Sequence, residues 1–406
     1  MKIGRVILAL QLVIVSAWTI SSCNNVEATK SSVRADQGNT IVTSQRTSVE
    51  IEPDPDMLAE DIVVDNLQIK DDYTYVTGQI EDFMEIDATL ITTIDPMAPG
   101  NASTYTAAFN SFSASEEQRL MFAQPEWKLI ESEIRPASFP YDEAYFDVYE
   151  DASGNQHRSI LATDSAYYST QQGALIAQVE VPAEYHAQTD FEFASEQEAF
   201  EVAKNFAETC GYSISDYYYV YRLPYEELEL SSKLIDQSVV ESALPQGWTA
   251  AQDAYKFMLF ADIDGMLMRA TGSYPLSEEY GDQVSSAINI IVTSKGVEYA
   301  RFYFQYNNTV VQSTGEMCNI EEALNLVAQS IFNGDTYLTP PLKIDYVYLA
   351  YIGQWEPSTA AVMLRPFWVM KARETDPNSF GSESYYYVDA LNMTVTNDAT
   401  YCGPEL

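Results

Sequence analysis

The chain has 406 residues, 60 of them acidic and 21 basic, for a formal net charge of -39. No basic stripe exists to neutralise phosphates, which excludes nucleic acid, and the excess acid excludes adhesion of the protein surface to an anionic membrane. At 46% hydrophobic and 13% aromatic residues it is nevertheless no disordered polyanion, and it can bury a large core.

The N-terminus reads as an address. Lys2 and Arg5 precede an apolar run from Val6 to Ile20, and Ile20-Ser21-Ser22-Cys23 puts small residues directly before a cysteine. The run is short for a membrane span, which needs ~20 residues, and it fits a cleaved signal better. The pattern is that of a bacterial lipobox. It predicts a signal peptide over 1–22, lipid attachment at Cys23 and a place on the extracytoplasmic face of the cell membrane. Residues 23–60 are rich in Ser, Thr, Asn, Asp and Glu and lack Tyr, Phe and Trp. Such a stretch cannot offset the entropy of ordering it, so it is expected to be a disordered polar tether.

From residue 61 the pattern changes. Tyr73–Thr77 and Ile86–Ile91 alternate as strands do. Ser113-Ala114-Ser115-Glu116 has capping-box spacing and predicts a short helix. Ala162–Ser169 and Ala174–Val181 bracket Gln171-Gln172-Gly173, which reads as a hairpin. Residues 61–190 are therefore expected to be a β-rich domain.

Residues 191–406 are expected to be a second domain, with a helix–strand duplication. Ser195–Glu198 and Asn319–Glu322 each have capping-box spacing ahead of apolar residues at helical intervals. Each helix is followed by an aromatic strand opening Asp-Tyr, at Asp216-Tyr217 and at Asp345-Tyr346. Asp264-Gly265 and Lys295-Gly296 mark hairpin turns. The fold class so predicted is α+β: antiparallel sheets with helices packed on one face, in two domains behind the signal and tether. Leu324 and Trp368 are expected in one core.

Arg365-Pro366-Phe367-Trp368-Val369, followed by Tyr386-Tyr387-Val388-Asp389-Ala390-Leu391-Asn392, resembles the C-terminal signature of PepSY-like and YycI-like extracytoplasmic modules of Gram-positive bacteria. Glu321-Glu322-Ala323 is similar to the helix opening of those modules, while Met393 stands where they usually carry Gly. The layout as a whole resembles uncharacterised acidic lipoproteins of Gram-positive bacteria. The resemblance implies a non-enzymatic role, such as modulating envelope enzymes or sensor kinases.

Chemistry-bearing motifs are sparse. The two histidines, His157 and His186, sit in polar surroundings and read as surface loop residues whose loss would be quiet. There is no Gly-x-Ser-x-Gly, His-Glu-x-x-His or Cys-x-x-Cys in the sequence. No catalytic residue, metal ligand or cofactor is predicted. Glu85, Asp87 and Glu298 read as solvated strand positions, and Asp262–Gly265 as a turn and not a calcium loop. Cys318 precedes a helix N-terminus, where a thiolate would be stabilised. Among Cys210, Cys318 and Cys402 at most one disulfide can form.

Tyrosine is in excess, at 29 residues. Exposed members of the runs Tyr217–Tyr219 and Tyr385–Tyr387 could stack on a ligand, which makes Tyr217, Tyr219, Tyr385 and Tyr387 candidate binding residues. The leading expectation is a lipid-anchored interaction or regulatory module with an envelope protein or peptide as partner. The alternatives are a carbohydrate- or peptide-binding lipoprotein using those tyrosines and, third, a carboxylate hydrolase.

Overall fold

The structure is a computed structural model and describes residues 62–70, 72–109, 121–135, 144–161, 165–269, 288–303, 306–334, 338–356, 361–376 and 382–397. The signal, the tether, Cys23, the capping box at Ser113–Glu116 and Cys402 lie outside the described residues.

Alternation builds the strands. In β3 (Met84–Ile91) Met84, Ile86, Ala88 and Leu90 are buried, while Glu85 and Asp87 between them are not. The long hairpin of β15 (Leu342–Glu356) and β16 (Ala361–Glu374) is apolar on both faces. Val347, Leu349 and Tyr351 enter one core, and Tyr346, Tyr348, Ala350 and Ile352 enter another. A strand covered on both faces needs this continuous apolar run.

The remaining strands join this hairpin. β1 (Asp65–Ile69) and β2 (Tyr75–Ile80) extend β3, which pairs in parallel with β15. β4 (Asn101–Phe109) joins β16 and β14 (Tyr306–Glu316). Beyond β16 lie β17 (Glu383–Asp389) and β18 (Thr394–Asn397). A second array runs β5 (Lys128–Arg135), β6 (Ala144–Glu150), β7 (Gln156–Leu161), β8 (Ser165–Thr170), β13 (Gly296–Tyr303), β12 (Ile288–Thr293), β10 (Ala254–Ile263) and β9 (Ile214–Leu223). β10 links the two arrays. Its last residues pair with β11 (Met266–Arg269) across the Asp264-Gly265 turn, and β11 runs parallel to β15. Both turn residues have positive φ, which suits the twist of a tight hairpin.

The expected α+β class is therefore overturned. The chain is mostly β, and its eighteen described strands form one mixed hydrogen-bonded sheet. Nor do the helices share a face. Helix α2 (Glu196–Thr209) buries Ala199, Phe200, Ala203 and Ala207 against Phe257, Leu259, Ile290 and Phe302. Helix α5 (Ile320–Phe332) buries Ala323, Leu324, Val327 and Ile331 against Leu349, Trp368 and Met370. Between the two arrays lies a third core, with Met258 and Phe260 facing Tyr348, Phe367, Val369 and Tyr387. The helices thus lie on opposite outer layers. Propensity located them, but the sheet pairing chose their sides.

Strand pairings cross the boundary expected near residue 190, since β3, β4 and β8 pair with β15, β14 and β13. The succession of capped helix and antiparallel ribbon occurs twice, as α2 before β9, β10, β12 and β13, and as α5 before β15–β18. Both capping boxes form, with Ser195 accepting from the Glu198 amide and Asn319 from the Glu322 amide.

The hairpin expected around Gln171–Gly173 is instead helix α1 (Gln171–Ile176). Thr170 caps it by accepting from the Gly173 amide at 2.9 Å. Gly173 lies so close to β13 that a Cβ there would sit 1.9 Å from the Glu298 carbonyl oxygen. Helices α3 (Tyr225–Ser232) and α4 (Gln237–Ala243) fill the connection from β9 to β10.

Candidate functional site

The candidate tyrosines come together, but not as an exposed platform. Tyr385 and Tyr387 are buried at 8% and 1% exposure, and Tyr217 and Tyr219 are half-buried against the same core between the arrays. Tyr217 Oη donates to Tyr219 Oη at 2.8 Å. Buried Arg269 donates to the Tyr348 hydroxyl and lies 5.2 Å from that ring's centre. Burial pushes the Tyr346 and Tyr348 hydroxyls above their ordinary value, so they remain neutral. Alternation correctly put one side of each row inward. It is the facing array that covers the side expected to be open.

A cleft of about 500 Å³ opens at the margin of this layer. Its walls are the turn Asp72–Thr74, the end of β3 with Thr92 and Thr93, the start of β9 at Ser215–Tyr217, and Asp262 with Gly265 of the β10–β11 hairpin. Tyr217 is the one candidate tyrosine that lines it. Three carboxylates border the space. Asp72 accepts from the Thr74 hydroxyl at 2.7 Å and the Thr74 amide at 3.2 Å, which hold its carboxyl below the ordinary value. Asp216 is highly exposed, at 88%, and pairs with Lys204 at 2.6 Å. Asp262 accepts from the Gly265 amide at 3.0 Å, yet its carboxyl is pushed up, first by burial and then by the charges of Asp264 and Asp216. Asp264 itself is held by the Tyr105 and Tyr351 hydroxyls at 2.6 and 2.9 Å. Among the described residues no group of three or more His, Cys, Asp or Glu could hold a metal ion.

Sequence reasoning missed this cleft. In the sequence Asp262 reads as turn chemistry, which it is, but its neighbours Asp72 and Asp216 are contributed by distant segments.

The histidines are not free loop residues. His157 lies on β7 with its side chain 12% exposed, and its ring stacks on Trp127 at a 3.8 Å centroid distance. Its ring nitrogens meet the Tyr168 hydroxyl at 3.0 Å and Asp151 at 3.2 Å. Tyr168 is buried, and burial pushes its hydroxyl well above the ordinary value, so the Asp151–His157–Tyr168 chain ends inside the protein. His186 follows a short helical turn; its Nε2 meets the Val181 carbonyl oxygen at 3.0 Å and its ring meets Tyr221 edge-on.

Glu298 is likewise not solvated. At 3% exposure it accepts from the Thr293 hydroxyl at 2.8 Å, the Thr170 hydroxyl at 3.2 Å and the Gln172 amide. Asp87 pairs with Lys343 and accepts from the Tyr75 hydroxyl, while Glu85 stays exposed. Cys210 and Cys318 are free thiols. Burial pushes the Cys318 thiol up to about 12, overriding the helix N-terminus beside it. Among the described residues no helix is long and apolar enough to cross a membrane.

No family model matches the chain, and no curated protein does either. Among solved structures, YycH from Bacillus subtilis aligns at a TM-score of only 0.15 and 8% identity, covering 73% of this chain and 94% of that one. That score carries no argument. An uncharacterized protein from Eubacterium rectale ATCC 33656 aligns at a TM-score of 0.53 and 17% identity, covering 80% of this chain and 93% of that one. The chain is similar to that protein in fold.

Proposed function

We propose that this protein is a lipid-anchored, extracytoplasmic interaction module that acts by binding an envelope protein or peptide and carries out no catalysis of its own. The lipobox at Ile20–Cys23 supplies the address, and the resemblance of residues 365–392 to PepSY-like modules supports a regulatory role. The observation that carries the reading is the cleft beside β9. It is a concave site of about 500 Å³ bordered by Asp72, Asp216, Asp262 and Tyr217, of a size that suits a ligand or a short peptide segment. The acidic border selects for positive charge and raises the encounter rate with it.

The test is photo-crosslinking in intact cells, with p-benzoylphenylalanine in place of Tyr73 at the cleft or of Leu234, which is 95% exposed and does not line it. A discrete envelope adduct from position 73, absent from position 234, is expected. Equal labelling at both positions, or none at 73, overturns the reading.

A further inference from the structure

β9 (Ile214–Leu223) pairs with β10 on one side only; among the described residues no strand pairs with its other edge. Tyr217 to Arg222 are all half-buried, whereas Phe257 to Phe260 on the neighbouring strand are fully buried. The direction of the open edge is fixed by one hydrogen bond. The Arg222 carbonyl accepts from the Ala187 amide at 2.9 Å, away from β10. In an antiparallel strand both backbone groups of a residue point the same way and alternate residues share a side. The amide and carbonyl groups of Tyr218 and Val220 therefore point off the open edge too. Arg222 is engaged by Ala187, but Tyr218 and Val220 meet no strand among the described residues, and such a row is a template for another strand. Among the described residues β1, β5, β14 and β18 are also one-sided, but the first residues of β9 wall the acidic cleft, with Asp216 presented at its mouth.

We propose that β9 takes up an extended, basic segment of a partner protein as an added strand, with Tyr218 and Val220 supplying backbone hydrogen bonds and Asp72, Asp216 and Asp262 receiving the segment's Lys or Arg. Charge complementarity selects this occupant, since the chain's formal net charge is -39 and the cleft at the start of β9 is lined by Asp216, Asp72 and Asp262, of which, among the described residues, Asp216 alone is paired with a cation, Lys204. Main-chain pairing gives affinity in such complexes and side-chain pockets give specificity. The proposal rests on the cleft being the binding region and adds the partner's chemistry and the mode of binding.

The experiment uses the full folded chain and a ten-residue peptide of alternating lysine and valine. Two further peptides serve as controls: one with glutamate replacing lysine, and one with alternate backbone amides N-methylated. The lysine peptide is expected to bind, to weaken as salt rises, and to slow hydrogen exchange at the Tyr218 and Val220 amides. N-methylation on the pairing edge should weaken it about tenfold or more, as loss of several backbone hydrogen bonds requires. Asp216→Asn with Asp262→Asn should reduce its salt dependence while the circular dichroism spectrum of the folded chain is retained.

Equal binding of the N-methylated peptide, or no added protection at Tyr218 and Val220, overturns strand addition. Equal binding of the glutamate peptide, or no binding of the lysine peptide, overturns the basic partner. Crosslinking at position 73 would survive either failure, which separates this proposal from the reading beneath it.

Discussion

The indole Nε1 of Trp368 donates to the backbone carbonyl of Cys318 at 3.0 Å, tying the centre of β16 to the residue that precedes Asn319, the N-cap of helix α5. Both residues are buried, and Leu324 on the helix lies in the same core. The bond fixes where the helix starts over the sheet, and the ring fills the space beneath it.

Replacing Trp368 separates these two contributions. Trp368→Ala should cost about 3–5 kcal/mol, as large-to-small changes at fully buried aromatic sites do. Trp368→Phe keeps most of the packing but leaves the buried Cys318 carbonyl without this donor, at a cost of about 1–3 kcal/mol. Urea unfolding of the two variants checks the order. Equal midpoints for Trp368→Phe and wild type would show that the hydrogen bond contributes nothing.

Met393 occupies the left-handed region at φ 53°, in the turn from β17 to β18. The Asp389 carboxylate accepts from the Leu391 and Asn392 amides at 3.0 Å each, and the Met393 amide donates to the Asp389 carbonyl at 2.9 Å. The turn thus holds its geometry without glycine. A non-glycine residue there is strained by about 1–2 kcal/mol, and Met393 is 48% exposed, so little packing is lost on its removal. Met393→Gly should raise the melting temperature by a few degrees, while Asp389→Ala should lower it.

Burial pushes the Glu298 carboxyl up from its ordinary 4.5, only partly opposed by its hydrogen bonds with Thr293, Thr170 and Gln172 and by the Lys295 charge. The folded state therefore binds this proton more tightly than the unfolded chain does. The resulting stabilisation is fully present below about pH 4.5 and is lost as pH rises through the raised value. Glu298→Gln cannot titrate, so wild type should lose stability relative to the variant from pH 4.5 upward. Denaturation midpoints across pH 4 to 8 test this; a constant difference would refute it.

His157→Gln should be felt, contrary to what its polar flanking residues suggest. It removes the stack on Trp127 and the contacts with Tyr168 and Asp151, at a cost of about 1 kcal/mol or more. His186→Gln should cost less. Biological effect at equal protein level should be retained by both variants. Loss of effect by a stable, well-expressed His157→Gln protein would reopen an enzymatic role.

Cys23→Ala should release the protein into the medium or leave the precursor unprocessed. Labelling with a fatty-acid analogue and detergent partitioning read this directly. Wild-type protein without acyl label would refute the lipid anchor.

Local chemistry alone located a good part of this molecule. Ser195–Glu198 and Asn319–Glu322 close their capping boxes because both partners lie within four residues, and Asp264-Gly265 turns because its own φ angles allow it. Met84–Leu90 alternates because one face of β3 is dry. What neighbours in sequence cannot specify is which strand lies beside which. Pairing β3 with β15 and β4 with β16 joins residues more than 250 positions apart, and this made one mixed sheet where helices on one face were expected. Tertiary structure also decided exposure. Tyr385 and Tyr387 alternate as a half-exposed row would, but a second array covers them, and Glu298 is buried by α1 packing against its backbone. The cleft is wholly of this second kind, because Asp72, Asp216 and Asp262 meet only when the two arrays close against each other.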